Sequence, residues 1–222
     1  MCLKAFAPCR WRSGAGRREK GADGAAALLW TAIGFLSGAV PFAVVLGRIF
    51  LRRDVRRYGD GNPGAASAWK AGGWKIGLPA VLLDGFKGGI PVGLAHFLFG
   101  VRGWWLVPVA LAPVLGHAFS PLLRFHGGKA VAVTFGIWLG VLLGEGPIML
   151  GLLLTLAYAV LSTDAWAVLL TMVAFLAHLL LRGADPVLLT IAAGNTAILL
   201  WKHRGELGQP PRLRRWLFFW KR

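Results

Sequence analysis

Acidic residues are scarce in this 222-residue chain: nine Asp plus Glu stand against 25 Lys plus Arg. Charge of either sign is thin, at 15% of residues, where a soluble domain carries about 25%. Nine carboxylates leave little material for a metal-dependent transferase built on several Asp residues. Cysteine is limited to Cys2 and Cys9, both near the N-terminus, so there is neither a disulfide framework nor a zinc-ligand spacing. Heptads, low-complexity blocks and a clear internal repeat are also missing. What is present instead is apolar, at 56% of residues. A soluble helical protein needs polar outer faces that this sequence does not supply, so the chain reads as an integral membrane protein. The formal net charge of +16 would otherwise suggest nucleic-acid binding. The cations, however, sit in the tails and between apolar runs, where cytoplasmic loops face anionic lipid. No nucleic-acid partner is expected.

Residues 1–24 form a basic tail without the ordered charged, apolar and small-residue blocks of a cleavable signal. Seven apolar segments follow, at 25–50, 76–99, 103–120, 130–144, 147–161, 165–181 and 186–201. This predicts an all-α integral membrane protein of about seven short transmembrane helices joined by Gly-rich cytoplasmic loops. Residues 25–204 form the membrane domain, and 205–222 a basic, aromatic tail. Gly144-Glu-Gly146 alone separates the fourth and fifth segments, which predicts a tight helical hairpin. Abundant glycine predicts close helix packing. Basic residues concentrate after the first, third and seventh segments, which places those loops on the cytoplasmic side and the N-terminus outside. Trp104, Trp105, Trp201, Trp216 and Trp220 lie near segment ends, where amphipathic rings favour the interface. The end of the chain, Arg214–Arg222, is expected to lie on the membrane surface.

Two Gly-rich, basic stretches interrupt this apolar background. In the first, Gly59, Gly61 and Gly64 permit an irregular backbone, Pro63 fixes a bend, and Asn62 offers an amide. Arg56 adds a planar cationic fork suited to phosphate oxygens. The plainer alternative is a solvated turn with ordinary positive-inside charge. The stretch lacks the G-x-x-x-x-G-K-[ST] pattern of a Walker loop. The second, His126-Gly-Gly-Lys129, brings Gly127, Gly128 and Lys129 to the start of an apolar run, where unpaired helix N–H groups receive an anion. Asp84 and Lys87 share a helix face inside the second run, either as a helix–helix clamp or as support for the basic site. His96, His117 and His178 stand singly in apolar surroundings and read as packed histidines. His203 differs, because Arg204 and Glu206 accompany it.

Together these stretches resemble the bacterial acyl-phosphate:glycerol-3-phosphate acyltransferase family over about residues 34–204. The family pattern Gly-Ser-Ile-Pro-Phe, Asp-Ile-Arg and Gly-Ser-Gly-Asn-x-Gly-Ala-Thr-Asn reads here as Gly38-Ala-Val-Pro-Phe42, Asp54-Val-Arg56 and Gly59-Asp-Gly-Asn-Pro-Gly-Ala-Ala-Ser67. Leu83-Asp-Gly-Phe-Lys-Gly88 matches Asp-x-x-Lys-Gly. Pro113-Val-Leu-Gly-His-Ala-Phe119 through Phe125-His-Gly-Gly-Lys129 is the closest match, and His203-Arg204 is similar to the family's His-Arg-x-Asn ending. The departures are Ala39 for Ser, with Ser37 two positions earlier, and Asp60 for Ser, Ala66 for Thr, Ser67 for Asn, Ala130 for Gly and Glu206 for Asn. Asp60 and Glu206 place negative charge where the resemblance implies phosphate contacts.

The resemblance implies transfer of a fatty acyl group from acyl phosphate to the 1-hydroxyl of glycerol 3-phosphate, giving lysophosphatidic acid at the cytoplasmic face of a bacterial inner membrane. An acyl phosphate is already activated, which agrees with the lack of a convincing nucleophile triad. By the same resemblance Arg56 and Lys129 bind phosphate, while Asn62 and the glycines orient the site. Gly59, Gly61, Gly64, Gly127, Gly128, His203 and Arg204 contribute to substrate binding. No metal or cofactor is implied. The partners are the two substrates and membrane lipid. Two alternatives stay open: a divergent paralogue with another acceptor or no activity, and a small membrane carrier of phosphate compounds.

Overall fold

The computed structural model describes residues 20–214. Most of the basic N-terminal tail, and the C-terminal segment with Trp216 and Trp220, lie outside the described residues. Among the described residues the chain is helical: α1 (Lys20–Ala39), α2 (Phe42–Leu51), α3 (Ala65–Gly72), α4 (Trp74–Gly93), α5 (Leu106–Ala118), α6 (Val131–Leu142), α7 (Glu145–Val160), α8 (Asp164–Leu181) and α9 (Pro186–Leu207).

Every expected apolar segment carries helix, but the count of seven spans is not confirmed. Among the described residues, four stretches are long and apolar enough to cross a membrane: Gly24–Leu51, Trp74–Leu98, Gly103–Leu123 and Asp164–Leu181. Helices α6 and α7 are apolar but shorter. Three boundaries also differ from expectation. The first segment is broken between α1 and α2, because Pro41 has no N–H to continue the ladder. The first Gly-rich stretch ends in a helix of its own, α3. Helix α1 begins at Lys20, inside the expected tail.

The outer faces carry exposed Leu28, Phe50, Leu98, Ile148, Leu152 and Leu181. Such a continuous apolar exterior is what a bilayer covers. The interior is held by close helix approach. Helix α4 packs along α6, and α1 along α5. At the α4–α6 contact Gly85 and Gly89 face Gly136 and Gly140, and a Cβ on Gly136 would collide with the Gly85 carbonyl. Trp138 and Phe175 fill the centre edge-to-face, with ring centroids 4.7 Å apart. Helices α6 and α7 form the expected hairpin.

The α1–α2 break leaves carbonyls that need donors, and other elements provide them. Ser120 Oγ donates to Ala39 O at 2.5 Å, and Lys87 Nζ donates to Val40 O at 2.6 Å. Lys87 Nζ also lies 2.7 Å from Asp84 Oδ1, both side chains being buried. Ser37 Oγ donates to Lys87 O at 2.9 Å. Of the two readings of Asp84 and Lys87, the geometry fits the clamp: the pair on α4 holds the broken helix.

Beyond α9 the chain turns back along the α7–α8 loop as a short strap. Ser162 N donates to Arg212 O at 2.8 Å and Arg214 N to Val160 O at 2.9 Å. Trp166 Nε1 donates to Gln209 O at 2.8 Å.

Candidate active site

After α2, Asp54 organises the first basic loop. Its Oδ1 accepts the Arg56 N–H at 3.0 Å, and its two oxygens receive the Arg56 guanidinium at distances down to 2.6 Å. These hydrogen bonds hold the Asp54 carboxyl well below the usual carboxylate range, against a burial that pushes the other way. The same bonds raise Arg56. Gly59 and Gly61 then turn the chain at φ +74° and +77°. Asp60 Oδ1 accepts the Asn62 N–H at 3.2 Å, and Gly64 begins α3.

The second loop is built against α5. Gly128 N donates to His117 O at 3.1 Å. A side chain at Gly127 or Gly128 would collide with His117 and Ala118. Lys202 on α9 fastens the loop, its Nζ donating to Ala118 O at 2.8 Å and Gly127 O at 3.0 Å. Ala130 then takes φ +62° immediately before α6.

The two loops meet at Lys129. Its Nζ donates to Asp60 Oδ2 at 2.6 Å and to Glu206 Oε1. Burial pushes the Lys129 ammonium down, but the two carboxylates outweigh it and the net shift is upward. Burial likewise pushes Asp60 up, and its bonds from Lys129 and Asn62 bring it below the ordinary value.

A cavity of about 830 Å³ opens beside this cluster. Asp60, Asn62, Lys129, His203 and Glu206 make one part of its lining polar, while Val81, Leu82, Phe86, Phe135, Leu139 and Leu154 line it with hydrocarbon. Of the residues assigned to catalysis or substrate binding in the sequence, Asn62, Gly64, Lys129 and His203 therefore reach the cavity. His203 is buried, its Nδ1 2.8 Å from Leu199 O. Gly59, Gly61, Gly127 and Gly128 shape the loops behind it. Arg56 and Arg204 are outside the cavity lining. Arg56 is committed to Asp54, while Arg204 donates to Trp201 O at 2.7 Å and stacks 4.4 Å from the Trp201 ring centroid. Tyr158, Ser162 and Asp164 also line the cavity and escaped the sequence reading. Lys202 escaped it too, since nothing marked it among the C-terminal cations.

A family profile for glycerol-3-phosphate acyltransferase matches residues 28–210. The chain belongs to the glycerol-3-phosphate acyltransferase family. A family relative from Thermotoga maritima, named glycerol-3-phosphate acyltransferase 1, is 39% identical over 191 residues, covering 79% of this chain and 93% of the relative. The fold is similar to the crystal structure of PlsY, an integral membrane glycerol 3-phosphate acyltransferase, in its glycerol 3-phosphate form. The TM-score is 0.76 at 25% identity, covering 88% of this chain and 99% of that one. The lysophosphatidic acid form of PlsY gives 0.72 at 26% identity, with 82% and 90% covered. In the present chain the lysine of the Gly-Gly-Lys loop is paired with two carboxylates.

Proposed function

We propose that this protein transfers a fatty acyl group from an acyl phosphate to the 1-hydroxyl of glycerol 3-phosphate, giving lysophosphatidic acid and inorganic phosphate, with its polar loops at the cytoplasmic face of a bacterial membrane. The observation that carries this reading is the single cavity in which a Gly-flanked lysine meets a hydrocarbon wall. One site can hold a molecule that carries both a phosphate and a fatty chain only if the two environments adjoin. That PlsY is described in forms with glycerol 3-phosphate and lysophosphatidic acid supports the choice of acceptor and product.

In this reading Lys129 and the N–H groups at the start of α6 receive phosphate oxygens. The acyl chain lies along Phe86, Phe135 and Leu139. The 1-hydroxyl oxygen attacks the acyl carbonyl carbon, the bond from that carbon to the phosphate oxygen breaks, and the departing phosphate takes the hydroxyl proton. The donor is a mixed anhydride and needs no protein nucleophile, so the protein's contribution is positioning and charge. Asn62 and His203 orient the acceptor. Arg56 acts behind them, holding the first loop through Asp54.

Purified protein in detergent, given acyl phosphate and glycerol 3-phosphate, is expected to form lysophosphatidic acid. Lys129→Ala is expected to lower kcat/KM at least about 100-fold, the scale of losing a charged phosphate contact. An active Lys129→Ala variant would overturn the assignment of Lys129. Phosphate release without acylated acceptor would overturn the choice of acceptor.

A further inference from the structure

Among the described residues, Trp138 Nε1, Asn195 Nδ2 and Ser67 Oγ are buried side-chain atoms without a hydrogen-bond partner. The first two lie in the helix core: Trp138 packs on Phe175, and Asn195 already accepts from Thr134. Ser67 lines the active-site cavity. An unpaired buried hydroxyl is destabilising and marks a place where a partner is missing.

Ser67 is 1% exposed and sits in the first turn of α3. A hydroxyl in a helix ordinarily folds back onto the carbonyl four residues earlier. Thr31, Thr134, Thr155, Thr171, Thr190 and Thr196 all do so in this chain. Four residues before Ser67 is Pro63, which precedes the helix, so no helical carbonyl is in place to receive it. Asp84 Oδ1 lies 2.7 Å from Lys87 Nζ and 3.8 Å from His117 Nδ1, so its charge is already paired within the protein. The His117 ring in turn abuts Gly128. Polar groups therefore run from the Lys129 loop through His117 to Asp84, and Ser67 lines the same cavity.

We propose that Ser67 forms a hydroxyl-recognition subsite that takes the secondary hydroxyl of a polyol phosphate whose phosphate is held at Lys129. The Ser67 hydroxyl both donates and accepts, so a substrate O–H can satisfy it. The subsite rests on the acyltransferase reading above and makes Ser67 its specificity-determining residue. A pocket that leaves polar groups unpaired rejects the analogue lacking a hydroxyl.

The test compares glycerol 3-phosphate with 3-hydroxypropyl phosphate, which keeps the phosphate and the acylatable primary hydroxyl but lacks the secondary one. Wild type is expected to favour glycerol 3-phosphate by about tenfold or more in kcat/KM. Ser67→Ala is expected to bring the two acceptors within about twofold, chiefly through a lower kcat/KM for glycerol 3-phosphate, with the thermal midpoint no lower, since an unpaired hydroxyl has been removed. Ser67→Thr, which restores the hydroxyl, is expected to keep the preference. A Ser67→Ala variant that retains the wild-type ratio, or a Ser67→Thr variant that loses it, overturns the subsite. Wild type using both acceptors equally overturns the subsite alone. Wild type using neither overturns the acyltransferase reading, and the subsite falls with it.

Discussion

Ala130 adopts φ +62° and ψ +14° between Lys129 and the first residue of α6. A Cβ in this left-handed region costs about 1 kcal/mol or more, which glycine avoids. The alanine is one of the chain's departures from the family's Gly-Gly-Lys-Gly pattern. Ala130→Gly is therefore expected to stabilise the protein by about 0.5–1 kcal/mol, the strain relieved less the greater freedom of glycine in the unfolded chain. Thermal unfolding in detergent checks this, and a lower midpoint would contradict it. At this scale the sequence was partly legible. Lys129 and Asn62 announced themselves because a cation or amide among glycines has few structural explanations. Ser67 did not, because an unpaired hydroxyl is a property of what surrounds it. Arg56 is held by Asp54, two residues away, through its Nε and Nη2, a pairing that its charge alone did not reveal.

Helices α4 and α6 approach as closely as their glycines allow. Gly136 is expected to be the most sensitive position, since a methyl there meets the Gly85 backbone rather than a movable side chain. Gly136→Ala forces the helices apart, with an expected loss of about 1–3 kcal/mol. Unfolding of the purified variant measures it, and an unchanged midpoint would show that the contact is looser than described. Close packing was readable from the abundance of glycine, and the helical segments from their apolar runs. The break at Pro41 and the helix α3 were not. A proline near the middle of an apolar run is compatible with a kink or a break, and here donors from distant residues, Lys87 and Ser120, sustain the break. Helix α3 is short and lies in a polar, Gly-rich stretch that offered no apolar period to read.

At the scale of the molecule, Lys129 joins three parts of the chain: its own loop, the first Gly-rich loop through Asp60, and the end of α9 through Glu206. Two carboxylates and one ammonium leave a net negative charge where a phosphate is to bind. An incoming phosphate competes with these carboxylates for the Lys129 ammonium, and Asp60, with a half-exposed side chain, is the easier of the two to move. Asp60→Asn removes that competition while keeping the side chain's size. It is expected to lower KM for glycerol 3-phosphate by about twofold to fivefold, because a half-exposed ion pair is worth up to about 1 kcal/mol. The pH response supplies an independent readout. The Asp60 pKa is depressed in the folded protein, so its bond to Lys129 contributes stability above the ordinary carboxylate value and loses it as pH falls through the depressed one. Wild-type thermal midpoints should thus fall through the acid range more steeply than those of Asp60→Asn. Identical acid limbs together with an unchanged KM would mean that Asp60 neither competes with phosphate nor closes the site.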